Sequence, residues 1–359
     1  MSGTTAQQPT RGKAKNVILF IGDGLGVSSL NAASIYGYGK ALGLYVQQMP
    51  RLALADTSTT HEWVTDAAAS VTAIATGVKT RNGVLSQSGA AERGVKDGAN
   101  LKTILEYAEE GGLATGVIGN EERKGVADAP LAAFYAHSND RNLIGACFLQ
   151  LLNPKFGDGP DVVIGAGRKL IEQQIKQAGK DWTVEAKAKG FALADSFAAL
   201  EALNGRERRV IGLWDDAEFD LAKAALEAIQ RLSQNPNGFL LVIHSDCHLP
   251  NNARRNLERI IELDNAVKAA AQAAKHDETL LLVTADHSFD LRIKGEQLTE
   301  TQKSSPHERI ALAVSMEAQH TAEEVPVLAS GPGSERVQGY ISNTDVFHLM
   351  MDALGLSAK

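Results

Sequence analysis

The chain has 359 residues, 44% of them hydrophobic and 22% charged, with a formal net charge of −7; this is the composition of an ordinary globular protein large enough to bury a full core. The acidic balance and the absence of a basic cluster argue against a nucleic-acid partner or an anionic membrane surface. Two cysteines, Cys147 and Cys247, rule out a disulfide framework and show no metal-type spacing, and no apolar run approaches the ~20 residues that span a bilayer.

Residues 1–15 are polar and lack the apolar core of a signal peptide. They read as a disordered tail, either of a cytosolic protein or of a mature exported chain whose signal has been removed. Residues 16–359 contain no internal repeat or low-complexity linker, which predicts one domain. The run at 16–21, NVILFI, is continuous, apolar and rich in β-branched residues, and it ends in GDGLG. A buried parallel strand is expected there, opening into a glycine turn. Asp23 then stands at the carboxyl end of a strand, where open α/β sheets bind ligands.

Residues 64–83, VTDAAASVTAIATGVKTRNG, predict a short Ala-rich helix that starts after Thr65-Asp66 and stops at Gly77. The first amides of such a helix lack partners and carry the positive end of its dipole, which makes the start an anion site. Residues 101–110 predict an amphipathic helix ended by Gly111-Gly112, and 115–118 a strand. Asp128-Ala129-Pro130-Leu131 predicts a further helix, with Asp128 as its cap and Pro130 in its first turn; that helix would carry His137, and Arg141 would follow it. Strands are expected at 162–164, 209–213, 238–243, 280–284 and 325–329, with helices at 220–232, 252–275 and 344–354, the last capped by Asn343. Loops are expected at 157–161 and 205–208. The βαβ alternation predicts a parallel sheet.

The strand at 238–243 runs into His244-Ser245-Asp246-Cys247-His248. In an extended chain His244, Asp246 and His248 share one side, and Cys247 faces the other as a small hydrophobe. Asp286-His287 follows the strand at 280–284, and His320 precedes the one at 325–329. Asp/His pairs recurring at strand ends fit a two-metal site, and mixed imidazole and carboxylate donors favour Zn²⁺.

Residues 16–26, 64–83, 127–141, 283–287 and 320–332, in this order along the chain, together resemble alkaline phosphatases. The resemblance implies an α/β three-layer sandwich, with a mostly parallel central sheet and helices on both faces. It implies one zinc held by Asp23, Asp286 and His287 and a second by Asp246, His248 and His320. Arg141 and Asp66 would bind substrate phosphate, Arg141 clamping two of its oxygens, and Asp128 would belong to a third, magnesium-type site. Ala67 stands at the position of the family's nucleophilic serine. Pro130 stands where a hydroxyl residue supports the third metal, His244 replaces a Glu, and Asp246 and His248 lie closer together than in the family. A weak or altered third site is therefore expected. The implied activity is zinc-dependent hydrolysis of phosphate monoesters, impaired by Ala67. The rivals are a silent phosphate-ester binding protein and a phosphodiesterase; the absence of a Cys-x-Pro-x-Arg sequence argues against a sulfatase. Thr65 and Ser70 flank Ala67 and read first as helix-packing or capping residues, with a surrogate nucleophile as the alternative for either. The implied partners are small phosphorylated substrates and inorganic phosphate, bound by a monomer or homodimer exported to the periplasm or secreted.

Overall fold

The apolar run after Lys15 forms β1 (Asn16–Asp23), buried along its whole length because parallel neighbours pair with it on both sides. The computed structural model describes residues 14–294 and 314–357. The remaining strands are β2 (Arg51–Asp56), β3 (Ala114–Gly119), β4 (Val162–Gly165), β5 (Ala192–Ala194), β6 (Val210–Leu213), β7 (Phe239–Asp246), β8 (Thr279–Ala285), β9 (Ser288–Ile293), β10 (Val314–Thr321), β11 (Val325–Ser330) and β12 (Gln338–Ser342). Ten of them form one sheet in the order β12-β2-β11-β8-β1-β7-β3-β4-β6-β5. Among the described residues only β11 opposes the others in that sheet. β9 and β10 pair separately as an antiparallel ribbon.

Helices flank the sheet in two sets. The helices Leu221–Leu232 and Ala253–Ala273 pack on β3, β7 and β1 and on each other. The first buries Leu221, Ala224, Ala225, Ala228, Ile229 and Leu232, a single stripe at the helical period, and Asp220 caps it by accepting from the Lys223 amide. The second set gathers α1 (Ala67–Thr76), α2 (Ile104–Glu110), α3 (Ala129–Ala132) and the last helix, Thr344–Leu354. The three-layer architecture expected from the sequence is the one observed.

Local structure departs from expectation at several points. The helix expected from residue 101 starts at Ile104, because Thr103 and Glu106 close a capping box there, satisfying two free amides reciprocally. The helix after Asp128 ends at Ala132, and His137 lies beyond it, with its ring bridging Glu106 Oε1 at 2.9 Å and the Ser86 carbonyl at 2.8 Å. Asp128 occupies the cap position but its side chain caps nothing, since Lys124 and Arg141 hold the carboxylate. Asn343 likewise gives no cap; its amide donates to Ser70 Oγ at 3.1 Å. Of the tail expected over 1–15, residues 1–13 lie outside the described residues, whereas the Ala14 amide donates to the Ala353 carbonyl and that of Lys15 to Glu278. Among the described residues no helix is long and apolar enough to cross a membrane.

Candidate metal centre

Adjacent parallel strands end together and deliver polar side chains to one edge. Asp23 at the end of β1 is the cross-strand partner of Asp246 at the end of β7. Asp286 and His287 follow β8, and Asn120 follows β3. The chain leaves β1 through Gly24, whose φ is +73°, and a Cβ there would lie 2.8 Å from that of His248. Only glycine fits this left-handed turn at such close approach.

The neighbouring backbone then sets the carboxylates. Asp286 Oδ1 accepts from the amides of Gly24, at 3.1 Å, and His287, at 2.9 Å, which leaves Oδ2 toward the other ligand-type atoms. Asn120 Oδ1 accepts from the Asp246 amide at 3.0 Å, and its amide reaches Ser245 Oγ. His320 arrives on β10, donating from Nδ1 to the Thr65 carbonyl at 3.0 Å and stacking on His287 with ring centroids 3.5 Å apart.

Among the described residues three groups of potential ligands result: Asp23, Asp286 and His287; Asp23, Asp246 and His248; and His248, His287 and His320. Within each, one atom per residue lies within 4.8 Å of the others. The sequence had placed His320 with Asp246 and His248. In the structure Asp246 and His248 also converge on Asp23, with His248 Nδ1 3.1 Å from Asp23 Oδ1, while His320 groups with His248 and His287. Asp23 is thus shared by the first two groups, and the third joins them through His287 and His248.

The residues fit a metal. Asp23 Oδ1, Asp286 Oδ2 and His287 Nε2 are buried without a hydrogen-bond partner, although His287 Nε2 is 3.1 Å from Asp23 Oδ1. Leaving buried polar atoms unpaired costs about 1–3 kcal/mol each, and a cation bound between them would remove that penalty. The electrostatics agree. Burial and the neighbouring Asp23 push Asp286 up to about 7. Burial disfavours a charged His248, yet Asp23 and Asp246 hold it up at about 10, whereas burial and His287 push His320 down to about 4. Clustered carboxylates here draw positive charge from whatever stands nearby.

Beside this cluster Asp66 caps α1. Its Oδ1 accepts from the Ala69 amide at 3.0 Å, and its Oδ2 from the Gly83 amide at 2.9 Å and Arg141 Nη1 at 3.0 Å. Arg141 Nη2 lies 3.4 Å from Asp128 Oδ1. The Arg141 side chain is 15% exposed. Ala67, the first residue of α1, is buried between Asp66 and the residues that touch it. Thr65 Oγ1 donates to the Asp66 carbonyl, and Ser70 Oγ accepts from Asn343, so both hydroxyls have structural partners. His244 is buried with Nε2 3.4 Å from Asp23 Oδ2; burial works against its charge, but Asp23 raises its pKa. Cys147 and Cys247 are buried thiols.

Sequence reasoning missed Asn120 and Lys124. A polar residue just past the strand at 115–118 was the available signal for the first, and the i,i+4 spacing from Lys124 to Asp128 for the second.

A family profile described as alkaline phosphatase matches residues 14–314. An alkaline phosphatase of Escherichia fergusonii is 30% identical over 96% of this chain and 86% of its own length. The streptomycin-6-phosphate phosphatase of Streptomyces griseus is 28% identical over 99% of this chain and 94% of its own. Among solved structures, alkaline phosphatase from the Antarctic bacterium TAB5 superposes with a TM-score of 0.82 at 24% identity, covering 97% of this chain and 100% of that one. The Thermus thermophilus enzyme gives 0.80 at 20% identity, covering 97% and 92%. These two structural likenesses bear on the fold.

Proposed function

Because the chain belongs to the alkaline phosphatase family, we propose that it hydrolyses phosphate monoesters with two zinc ions, slowly, because Ala67 stands where a nucleophilic hydroxyl is needed. The observation that carries this reading is the set of buried, unpaired carboxylate and imidazole atoms beside a helix start and an arginine. Mixed nitrogen and oxygen donors suit zinc better than a hard ion. Bound zinc would supply Lewis-acid polarisation of the phosphoryl and leaving oxygens.

The chain's own residues do the rest. Arg141 offers a planar fork of N–H donors, suited to two non-bridging phosphate oxygens at once, and its bonds to Asp66 and Asp128 hold the fork at the edge of the cluster. The first amides of α1, with its dipole behind them, face the same anion. Asn120 holds the Asp246 backbone, and Gly24 holds Asp286. What is missing is an attacking oxygen on residue 67.

One observation favours a second reading, a phosphate-ester binding protein without turnover: Ala67 has no hydroxyl, and Thr65 and Ser70 are engaged elsewhere. Turnover of a chromogenic monoester by the purified, zinc-loaded chain separates the two. Slow, zinc-dependent release of phosphate supports the hydrolase. Tight phosphate binding with no release above the metal-free background would establish the binding protein.

A further inference from the structure

The residues around Asp128 do not fit a third, magnesium-type ion. Mg²⁺ requires near-octahedral oxygen coordination. Here Pro130 brings no side-chain oxygen, and His244 presents a nitrogen toward Asp23. The one available carboxylate, Asp128, is already occupied: its Oδ1 accepts from Lys124 Nζ at 3.0 Å and lies 3.4 Å from Arg141 Nη2. Glu121, the other acid nearby, is committed to the loop, with Oε2 accepting from the amides of Arg123, Lys124 and Gly125.

We propose that the Lys124 ammonium is the protein-borne replacement for a third metal ion, and that it positions Asp128 and, through Asp128, Arg141. The proposal rests on the metal-dependent reading above. A buried carboxylate beside Asp23 needs compensating charge. Lys124 Nζ at 3.0 Å and Arg141 Nη2 at 3.4 Å supply that charge to Asp128 Oδ1. Lysine suits this task as a compact charge on a flexible stem.

The backbone that carries Lys124 is tightly seated. Its amide is held by Glu121. At the next residue, Gly125, φ is +51° and a Cβ would lie 1.7 Å from the Ala166 carbonyl oxygen. The ammonium is therefore delivered from a fixed loop and not from a freely waving surface chain, although its side chain remains 27% exposed. Arg141 is shared between Asp66 and Asp128. A second cation on Asp128 fixes that carboxylate in place, so that Asp128 and Asp66 together hold the guanidinium at the edge of the cluster.

The test uses the zinc-loaded full chain with Mn²⁺ as the probe, its free and bound forms counted by electron paramagnetic resonance alongside elemental zinc. The wild-type chain is expected to take up no Mn²⁺ beyond the zinc positions. Lys124→Ala and Lys124→Met, the second keeping the apolar stem should the first fold poorly, are each expected to gain one Mn²⁺ per chain, bound at least about tenfold more tightly than by wild type. Lys124→Arg keeps the charge and is expected to behave as wild type, which a purely structural role for the stem would not predict of Lys124→Met. Mn²⁺ uptake by wild type, or neutral variants that bind no more than wild type, overturns the role of Lys124 and leaves the zinc reading intact. A chain that holds no zinc under any loading condition overturns both.

Discussion

Arg141 Nη1 lies 3.0 Å from Asp66 Oδ2, so the guanidinium is tied to the residue that caps the helix beginning with Ala67. One carboxylate thus fixes the helix start with one oxygen and aims the arginine with the other. Arg141→Ala should weaken binding of inorganic phosphate by about 10- to 100-fold, the loss of charge-assisted hydrogen bonds, while zinc content stays the same. Asp66→Ala should lower stability, by about 1–2 kcal/mol for the lost cap, as well as weaken phosphate binding through the release of Arg141, whereas Arg141→Ala should leave the cap intact. Calorimetric phosphate titration and thermal melting separate the two. A change in zinc content in Arg141→Ala would mean that the arginine supports the metal groups and not the anion.

The zinc-loaded chain should carry about two zinc ions, because the ligand-type atoms form overlapping groups around Asp23 and a two-metal site is the arrangement such sharing supports. Asp286→Ala should lose at least one of them. It should also melt lower, because Asp286 joins the end of β8 to the Gly24 turn and metal binding ties separate strands together. Elemental analysis after purification without chelator is the check; wild-type protein free of transition metal would sink the idea.

Glu109 should make the fold less stable as pH rises. It is buried, and desolvation pushes its carboxyl from an ordinary 4.5 up to about 8; its oxygens meet Thr115 Oγ1 and the amides of Asp158 and Gly159. The folded state therefore holds a proton that the unfolded chain releases. With fewer protons bound in the unfolded state, stability falls with pH: the contribution is fully present below 4.5 and is lost as pH rises through about 8. Glu109→Gln keeps the shape without the titration, so its melting temperature should fall less over that interval. Parallel curves for the two zinc-loaded proteins would exclude Glu109 as the cause.

What was legible in the sequence follows burial. β1, β7 and β8 are buried at every position, so continuous apolar runs announced them, and the polar residues that end those runs proved to be neighbours at the sheet edge. β2 and β12 were not read, because much of each faces solvent and a short, half-wet strand carries little hydrophobic pattern. β10 is similarly mixed, VSMEAQHT, so His320 stood out as a residue while the ribbon that carries it did not. Asn120 acts through a contact made across strands, which no spacing along the chain states, whereas the i,i+4 step from Lys124 to Asp128 is visible in the sequence but does not by itself distinguish a buried pair from a surface one. The grouping of Asp23 with Asp286 and His287 was read from the sequence and is found in the structure, but how Asp246, His248 and His320 stand toward Asp23 depends on how far the chain bends after Asp246 and not on the order of residues.

Ala67→Ser should raise phosphomonoesterase activity by several orders of magnitude, the scale on which nucleophilic catalysis is lost when its residue is removed. Position 67 is the first residue of α1, directly after Asp66, whose carboxylate holds both the first turn and Arg141. A hydroxyl there would sit at the positive end of the helix dipole, which favours an alkoxide. Thr65, two residues earlier, contacts His320 through its carbonyl, so the same segment borders the candidate ligands. Ser70 lies one turn further on and is packed against Asn343, which leaves it no route to the phosphate. The Ala67 protein should bind phosphate yet form no covalent phosphoenzyme, and Ala67→Ser should form one that mass spectrometry detects after mild acid quench. If Ala67→Ser gains neither turnover nor a phosphoenzyme, residue 67 is not the nucleophile position. If instead the Ala67 chain turns over rapidly and Ser70→Ala abolishes it, the attacking group lies one helical turn deeper than the helix start implies.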